Sequence, residues 1–137
     1  MWPRSSVSTS NLRLLLDTVV LVHAVESPER LSKRAVAALQ TPENILELSS
    51  VSLTEIAIKA ALGKLQISAL QIQEALRDLD LRILPFTGEH ALRLFELPLH
   101  HGDPFDRQII AQALCEEIPI VTSDDKFSLY KPLKVIW

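Results

Sequence analysis

The sequence predicts an α/β fold, a three-layer α/β/α sandwich built on a central parallel sheet. Short apolar stretches alternate along the chain with longer amphipathic segments. Residues that start or stop helices, such as Asp103-Pro104 and Gly63, separate these segments. The sequence shows no internal repeat and no long linker. Because alternating strands and helices form right-handed β–α–β crossovers, helices are expected to cover both faces of a parallel sheet.

Before residue 50 the hydrophobic pattern predicts a strand, two helices and a second strand. These are expected at 12–16, 18–25, 26–40 and 45–48. Pro42 stops the second helix. A third helix is expected to begin at Ser52, because Glu55 follows three residues later with the spacing of a capping box. Glu55 would then lie in the first turn, and Gly63 would end the helix.

The second half continues the alternation of helices and strands. Helices are expected at 68–81, 87–98 and 103–118, and strands at 82–86, 119–124 and 133–137. Asp103 is predicted as the N-cap of the last helix, with Pro104 at its first position. Asp106 occupies the position that a capping box gives to an acid or amide.

Composition sets the class of protein. With 137 residues and a hydrophobic fraction of 47%, a single domain over 12–137 is expected, preceded by a poorly ordered leader at 1–11. No apolar run reaches the roughly 18–20 residues of a membrane span, and no secretory signal is recognised. The single cysteine, Cys115, excludes an intramolecular disulfide and suits a reducing cytoplasm. It is interpreted as a buried spectator thiol.

The net charge of −3 limits how the protein could contact nucleic acid. Proteins that coat nucleic acid through electrostatics carry a surplus of basic residues. Any nucleic-acid contact here would need local basic residues, a metal ion or a partner protein.

Four carboxylates follow predicted strands or begin predicted helices: Asp17, Glu55, Asp106 and Asp124. The carboxyl ends of parallel strands meet at one edge of a sheet, where ligands bind. Ionised carboxylates gathered there repel one another unless a cation is present. Oxygen ligands favour Mg²⁺ or Mn²⁺ over Zn²⁺, and such ions can activate water for phosphodiester hydrolysis.

A structural interpretation competes with this metal cluster. Asp103 is first of all an N-cap, and Asp106 and Glu55 could each serve only as capping residues. Asp17 is harder to explain in this way, because a carboxylate that closes an apolar strand needs a partner. Asp125 is interpreted as solvated loop. Spacing alone leaves the two interpretations evenly matched.

Five segments together resemble the PIN-domain ribonucleases of the VapC toxin type. They are "LLLDT" at 14–18, "SVSLTEIAIKAALGKL" at 50–65, "HHGDPFDRQIIAQA" at 100–113, "IVTSDDKF" at 120–127 and the closing "KVIW". The resemblance spans 12–137 and implies an α/β/α fold on a parallel sheet. It implies an endoribonuclease with Mg²⁺ or Mn²⁺ as cofactor, an RNA substrate, an antitoxin partner and a homodimer.

The resemblance also implies the roles of individual residues. Asp17, Asp106 and Asp124 match the acids that hold the metal, and Glu55 matches the further catalytic acid. Thr18, Asp103 and Thr122 are expected to lie behind these acids. The hydroxyls of Thr18 and Thr122 would orient a ligand or a water, and Asp103 is interpreted as a helix cap or a support of the acids.

Four other polar residues have a structural interpretation from their positions. His23 stands in "VVLVHAV", where family members often have an aromatic residue, and is interpreted as a packing or helix-surface residue. His100 and His101 are assigned to a structural loop, with contact to RNA phosphate as the alternative. Lys59 lies four residues after Glu55, so a helical ion pair is the simple interpretation. The alternative is that Lys59 contacts the scissile phosphate or tunes Glu55.

Three other functions remain in competition. A phosphatase with an aspartyl nucleophile would carry a second Asp two residues after Asp17, where this chain has Val19. A PIN-like domain could be an inactive interaction module, although the complete set of four acids argues against that. A PIN nuclease could also act on another nucleic acid outside a toxin–antitoxin pair.

Overall fold

The computed structural model describes residues 12–137, which contain five strands and six α-helices. The predicted leader at 1–11 lies outside the described residues. The strands are β1 Arg13–Leu16, β2 Ile45–Ser49, β3 Arg82–Leu84, β4 Ile120–Val121 and β5 Val135–Ile136. The helices are α1 Thr18–Glu26, α2 Lys33–Gln40, α3 Ser50–Ala61, α4 Ala69–Asp78, α5 Gly88–Arg93 and α6 Pro104–Glu116.

The five strands form one sheet in the order β3-β2-β1-β4-β5, and every pair is parallel. The central strand β1 pairs with β2 on one side and with β4 on the other, so that Leu15 lies opposite both Glu47 and Ile120. The carboxyl ends of β1 and β4 are therefore neighbours. The predicted parallel sheet is confirmed.

Helices pack on both faces of this sheet. Leu14 and Leu16 of β1 belong to one apolar cluster with α1, α2 and α4. Leu15, on the opposite face, belongs to a second cluster with α6, Phe127 and Tyr130. The two clusters establish the three-layer α/β/α sandwich that the sequence predicted. Among residues 12–137, none of the helices has both the length and the apolar character needed to cross a bilayer.

The helix predicted at 26–40 is wrong in its extent. A 3-10 turn occupies Pro28–Arg30, and the backbone is extended at Leu31. Helix α2 begins after Ser32, whose side chain accepts a hydrogen bond from the backbone N–H of Ala35. Ser32 therefore supplies a local cap, and the chain starts a new helix there.

The predicted start of α3 is also wrong. Strand β2 leads directly into the helix, and Ser49, rather than Ser52, is the N-cap, because its Oγ accepts from the backbone N–H of Val51. Glu55 consequently lies in the second turn and has no capping role. The predicted end is confirmed, since Leu62 is the C-cap and Gly63 follows with a φ of +75°.

In the second half, α6 starts as predicted, and other elements are shorter than predicted. Asp103 is the N-cap, and its Oδ1 accepts from the backbone N–H of Asp106 at 2.9 Å. Helix α5 covers less of 87–98 than expected, because the chain forms turns after Arg93. Strand β4 stops before Thr122, whose hydroxyl accepts the backbone N–H of Asp124.

A chain of charged side chains lies at the amino end of β1, on the face that packs against α5 and α6. Arg13 binds both carboxylate oxygens of Glu47, at 2.8 and 3.1 Å, and also Glu116 at 3.2 Å. The other oxygen of Glu116 lies 3.0 Å from Nε2 of His90. Each charge in this group has a partner, and Arg13 joins β1, β2 and α6 at one point.

Substitution of Arg13 tests how much this group stabilises the fold. We expect Arg13→Met to lower the free energy of unfolding by about 2 kcal/mol in urea denaturation, because Glu47 stays buried without its cation. The loss stays below that of a fully buried pair because solvent reaches Arg13. The control is Arg93→Met, which removes an exposed ion pair of 3.9 Å and should cost less than about 0.5 kcal/mol. Equal losses in the two variants would contradict this role.

Candidate active site

A pocket of about 270 Å³ opens at the carboxyl ends of β1 and β4. Its polar lining brings together side chains that are far apart in the sequence. These are Asp17, Thr18, Glu55, Lys59, Asp103, Asp106 and Asp124. The four acids that the sequence singled out therefore line one pocket.

Asp17 comes directly after β1 and is 5% exposed. It is the N-cap residue of α1, but its side chain makes no capping hydrogen bond. Instead, its Oδ2 accepts from the hydroxyl of Thr122 at 2.7 Å. Burial raises the pKa of Asp17 to about 7; the charges of Asp106 and Glu55 act in the same direction, and the Thr122 hydrogen bond opposes the shift. The folded protein thus disfavours the ionised form of Asp17.

Asp106 lies in the first turn of α6, and its side chain faces the same pocket. Burial, together with the charges of Asp103 and Glu55, raises the pKa of Asp106 to about 6, whereas His101 opposes the shift. Glu55 therefore perturbs both aspartates. The charge of Asp106 in turn acts on Asp17, so the two aspartates do not ionise independently of the acids around them.

Glu55 reaches the pocket from the second turn of α3. Its Oε2 accepts from Nζ of Lys59 at 2.7 Å, while its Oε1 is buried and has no hydrogen-bond partner. Hydrogen bonding to Glu55 raises the pKa of Lys59, and the charges of Asp103 and Asp106 add to the effect. The simple helical ion pair is present, and Lys59 is also the cation of the pocket lining.

Asp124 follows β4 and caps a short 3-10 turn, where its Oδ1 accepts from the backbone N–H of Lys126. Its own backbone N–H donates to Oγ1 of Thr122 at 3.0 Å. Thr122, which is buried, thus joins Asp17 to Asp124 from the core side. Thr18 lines the pocket, and its hydroxyl shares a hydrogen bond of 2.8 Å with that of Ser52.

Other residues that the sequence raised lie elsewhere. The described histidines His23, His100 and His101 are outside the pocket lining, and so is the exposed Asp125. Cys115 is partly buried on α6. Sequence reasoning missed Ser52 as the partner of Thr18, because its spacing to Glu55 suggested a cap.

The donor set of the pocket suits a hard divalent cation. All the candidate ligands are oxygens, one buried oxygen of Glu55 lacks a partner, and burial and repulsion raise the pKa of both Asp17 and Asp106. Within residues 12–137, no three Asp, Glu, His or Cys side chains are already arranged as a metal-ligand group. A bound ion would therefore have to draw the carboxylates closer together.

Solved structures of similar shape include a member of the VapBC family of toxin–antitoxin systems. The structure of VapBC2 from Rickettsia felis, bound to a promoter DNA fragment, aligns with a TM-score of 0.70 and 20% identity over 90% of this chain and 97% of that chain. FitAcB from Neisseria gonorrhoeae aligns with a TM-score of 0.60 and 21% identity over 89% of this chain and 95% of that chain. VapBC-5 from Mycobacterium tuberculosis aligns with a TM-score of 0.59 and 21% identity over 90% of this chain and 95% of that chain. At such identities the likeness shows the fold.

The family comparison agrees with the shape. No curated protein sequence matches the chain significantly. The model of the PIN domain family, however, matches residues 14–131, a range that begins within β1 and includes β2, β3, β4 and all six helices. The match covers most of the chain and every residue of the polar pocket lining. The chain therefore belongs to the PIN domain family.

Proposed function

We propose that residues 12–137 form one PIN-like domain that cleaves RNA internally with Mg²⁺ or Mn²⁺, as the toxin of a toxin–antitoxin pair. The observation that carries this proposal is the pocket shared by Asp17, Glu55 and Asp106, in which burial and the neighbouring acids raise the pKa of Asp17 and of Asp106. A fold gains nothing from crowding buried carboxylates, so the arrangement favours a cation.

In this proposal Asp17, Asp106 and Asp124 hold the ion, directly or through water. When bound, the ion lowers the pKa of a water molecule and stabilises the charge that develops on the leaving oxygen. Glu55 orients the attacking water with its unpartnered Oε1, while Lys59 holds Oε2. Attack on phosphorus and departure of the 3′ oxygen leave a 5′-phosphate and a 3′-hydroxyl.

Support from behind the acids has a separate part in the proposal. Thr122 orients Asp17 through its hydroxyl, Thr18 is held by Ser52, and Asp103 fixes the start of α6. These three residues would keep the acids in place and need not contact the ion.

The partners in this proposal follow from the neighbours and from one groove. The similar structures include VapBC complexes, which supports a small antitoxin as the partner of this chain. An apolar groove of about 410 Å³ between α3 and α4, which includes Ile56, Ala57 and Ala60, has room for apolar side chains of such a partner. Co-purification of this chain with the protein encoded by the adjacent open reading frame would test the antitoxin partner. If that partner binds the apolar groove, Ala57→Arg should abolish the co-purification.

RNA binding must overcome the net charge of −3. The cation and Lys59 supply positive charge at the acidic pocket. A homodimer would add the surface of a second copy beside this pocket as a binding surface for RNA. We place the protein in the cytoplasm, where the unpaired thiol of Cys115 would persist.

Replacement of Asp17 tests the catalytic assignment. We expect Asp17→Asn to lower the rate of RNA cleavage by about 100-fold or more, because a ligand of the ion is lost, while the circular dichroism spectrum stays unchanged. The assay uses total cellular RNA with Mn²⁺, an EDTA control and mapping of the 5′ ends. Asp125→Asn is the matched control and should cleave like the parent. Cleavage by Asp17→Asn at the parental rate would show that the assignment is wrong.

The raised pKa of Asp17 predicts a pH-dependent stability in EDTA. The unfolded carboxyl ionises near its ordinary value of 3.8 and the folded one near about 7, so the folded state binds the proton more tightly. The free energy of unfolding should therefore fall as pH rises from about 4 to about 7. Because Asn has no charge, Asp17→Asn should become more stable than the parent across this range.

Urea denaturation at pH 4.5 and pH 8 measures this effect. In EDTA, the free energy of unfolding of Asp17→Asn should exceed that of the parent by more at pH 8 than at pH 4.5. The control Asp125→Asn should follow the parent. Added Mn²⁺ should make the parent more stable than Asp17→Asn at pH 8, because only the parent retains the full ligand set. Identical pH dependence of Asp17→Asn and the parent would contradict the burial of a charged Asp17. Failure of Mn²⁺ to stabilise the parent would favour the inactive interaction module.

A further inference from the structure

A group of three side chains lies behind Asp106, with Tyr130 buried and His101 and Arg107 partly buried. His101 belongs to the loop before α6, Arg107 to the first turns of α6, and Tyr130 to the segment after β4. The Tyr130 ring is 1% exposed, and its hydroxyl lies 2.7 Å from Nδ1 of His101. The group therefore connects the core to the loop that borders the pocket.

The hydrogen bonds of Tyr130 determine which ring nitrogen of His101 carries a proton. The hydroxyl oxygen accepts from the backbone N–H of His101 at 3.1 Å and from Nη1 of Arg107 at 3.2 Å. These two donors occupy both lone pairs, so the hydroxyl hydrogen is left to donate. Its two possible acceptors are Nδ1 of His101 at 2.7 Å and the backbone oxygen of His101 at 3.5 Å, and the much shorter distance selects Nδ1. Because Nδ1 accepts, the proton of the neutral ring lies on Nε2.

The Nε2 atom faces the active-site acid. It is buried and makes no hydrogen bond, and Oδ2 of Asp106 lies 3.5 Å from it. That separation is slightly too long for a good hydrogen bond, so a small movement of the Asp106 side chain would complete the contact. A buried N–H group without an acceptor is unfavourable, which makes Oδ2 its natural partner.

The position of His101 is fixed by other contacts. Arg107 donates to the backbone oxygens of Pro98 at 2.8 Å and Leu97 at 3.2 Å, and thereby ties the preceding loop to α6. The backbone N–H of Asp106 is itself held by Asp103. The donor and the backbone of the acid are therefore both held in place, and the Asp106 side chain is the part left to move.

We propose that His101, oriented by Tyr130, is a positioning residue that binds Oδ2 of Asp106 and directs Oδ1 of that carboxylate into the pocket. The inference rests on the proposed function, in which Asp106 is a ligand of the divalent ion. Groups that hydrogen-bond to a metal ligand typically change metal affinity by about 10–100-fold when they are removed.

Four variants separate positioning from simple packing. His101→Leu removes the donor, and His101→Gln places an amide N–H near the position of Nε2. Tyr130→Phe keeps the ring but removes the hydrogen that Nδ1 accepts. His100→Leu is the matched control, because His100 contacts the edge of the Tyr130 ring at a centroid distance of 4.8 Å and is not a partner of Asp106.

Calorimetric titration with Mn²⁺ is the first measurement. We expect His101→Leu to weaken Mn²⁺ binding about 10-fold or more, and His101→Gln to recover most of that loss. Tyr130→Phe should weaken binding by a smaller factor, and His100→Leu should bind like the parent. With Mn²⁺ in excess, the cleavage rate of His101→Leu should recover toward the parental kcat, since the defect lies in holding the ion.

The second measurement needs no metal. Nitrogen NMR of the imidazole rings should show the Nε2–H tautomer for His101 in the parent and a mixture of tautomers in Tyr130→Phe. An Nδ1–H tautomer in the parent would overturn the inference. So would parental Mn²⁺ affinity in folded His101→Leu, or His101→Gln binding no better than His101→Leu. If His101→Leu does not fold, Tyr130→Phe and the tautomer decide.

The two proposals fail in different ways. If the parent binds Mn²⁺ and Asp17→Asn does not, while His101→Leu binds like the parent, only the positioning role is wrong. If the parent binds no Mn²⁺, the proposed function fails and the positioning role fails with it.

Discussion

The buried carboxylate of Asp17 is the constraint on which the rest of the site depends. Strand β1 lies in the middle of a parallel sheet, and its last side chains are completely buried, so Asp17 leaves the strand inside the protein. Burial of a carboxylate is unfavourable, and the approach of Glu55 and Asp106 makes it more so. Because β1 ends in the interior of the protein, the buried Asp17 lowers the stability of the fold locally.

Three of the pocket's acids each have a supporting side chain from a different part of the chain. Thr122 of the β4 end holds Asp17, Lys59 one turn further along α3 holds Glu55, and the loop before α6 brings His101 toward Asp106. These supports use a hydroxyl, an ammonium and an imidazole, and none is a second carboxylate. Asp17, Glu55 and Asp106 therefore each have their own support, while the charges of the neighbouring acids still act on Asp17 and Asp106.

The sequence predicted the parts of this arrangement that depend on local signals. Asp103-Pro104 marked the start of α6, and the apolar run before Asp17 marked β1 and its end. The start of α3 was wrong because three serines, Ser49, Ser50 and Ser52, precede the helix, and local spacing does not select among them. The site acids could be grouped because parallel strands end at one edge.

Contacts between distant segments could not be predicted in the same way. Thr122 and Asp17 are 105 residues apart, and His101 and Tyr130 are 29 residues apart. Which hydroxyl meets which acid depends on strand order and on where each loop crosses the sheet, and neither is encoded in spacing. The support behind each acid therefore became visible only in the folded chain.

The two ends of β1 give the strongest argument for a cation at the pocket. At the amino end, Arg13 pairs with Glu47 and Glu116, so that the buried carboxylate of Glu47 has a cation within the protein. At the carboxyl end, five acids line one pocket, and Lys59 is the single basic residue in the lining that the structure describes. The fold thus gives the buried Glu47 a cation at one end of the strand, whereas at the other end the side-chain partner of the buried Asp17 is the uncharged Thr122. An unbalanced acidic pocket of this kind is explained most simply by positive charge that comes from outside the chain.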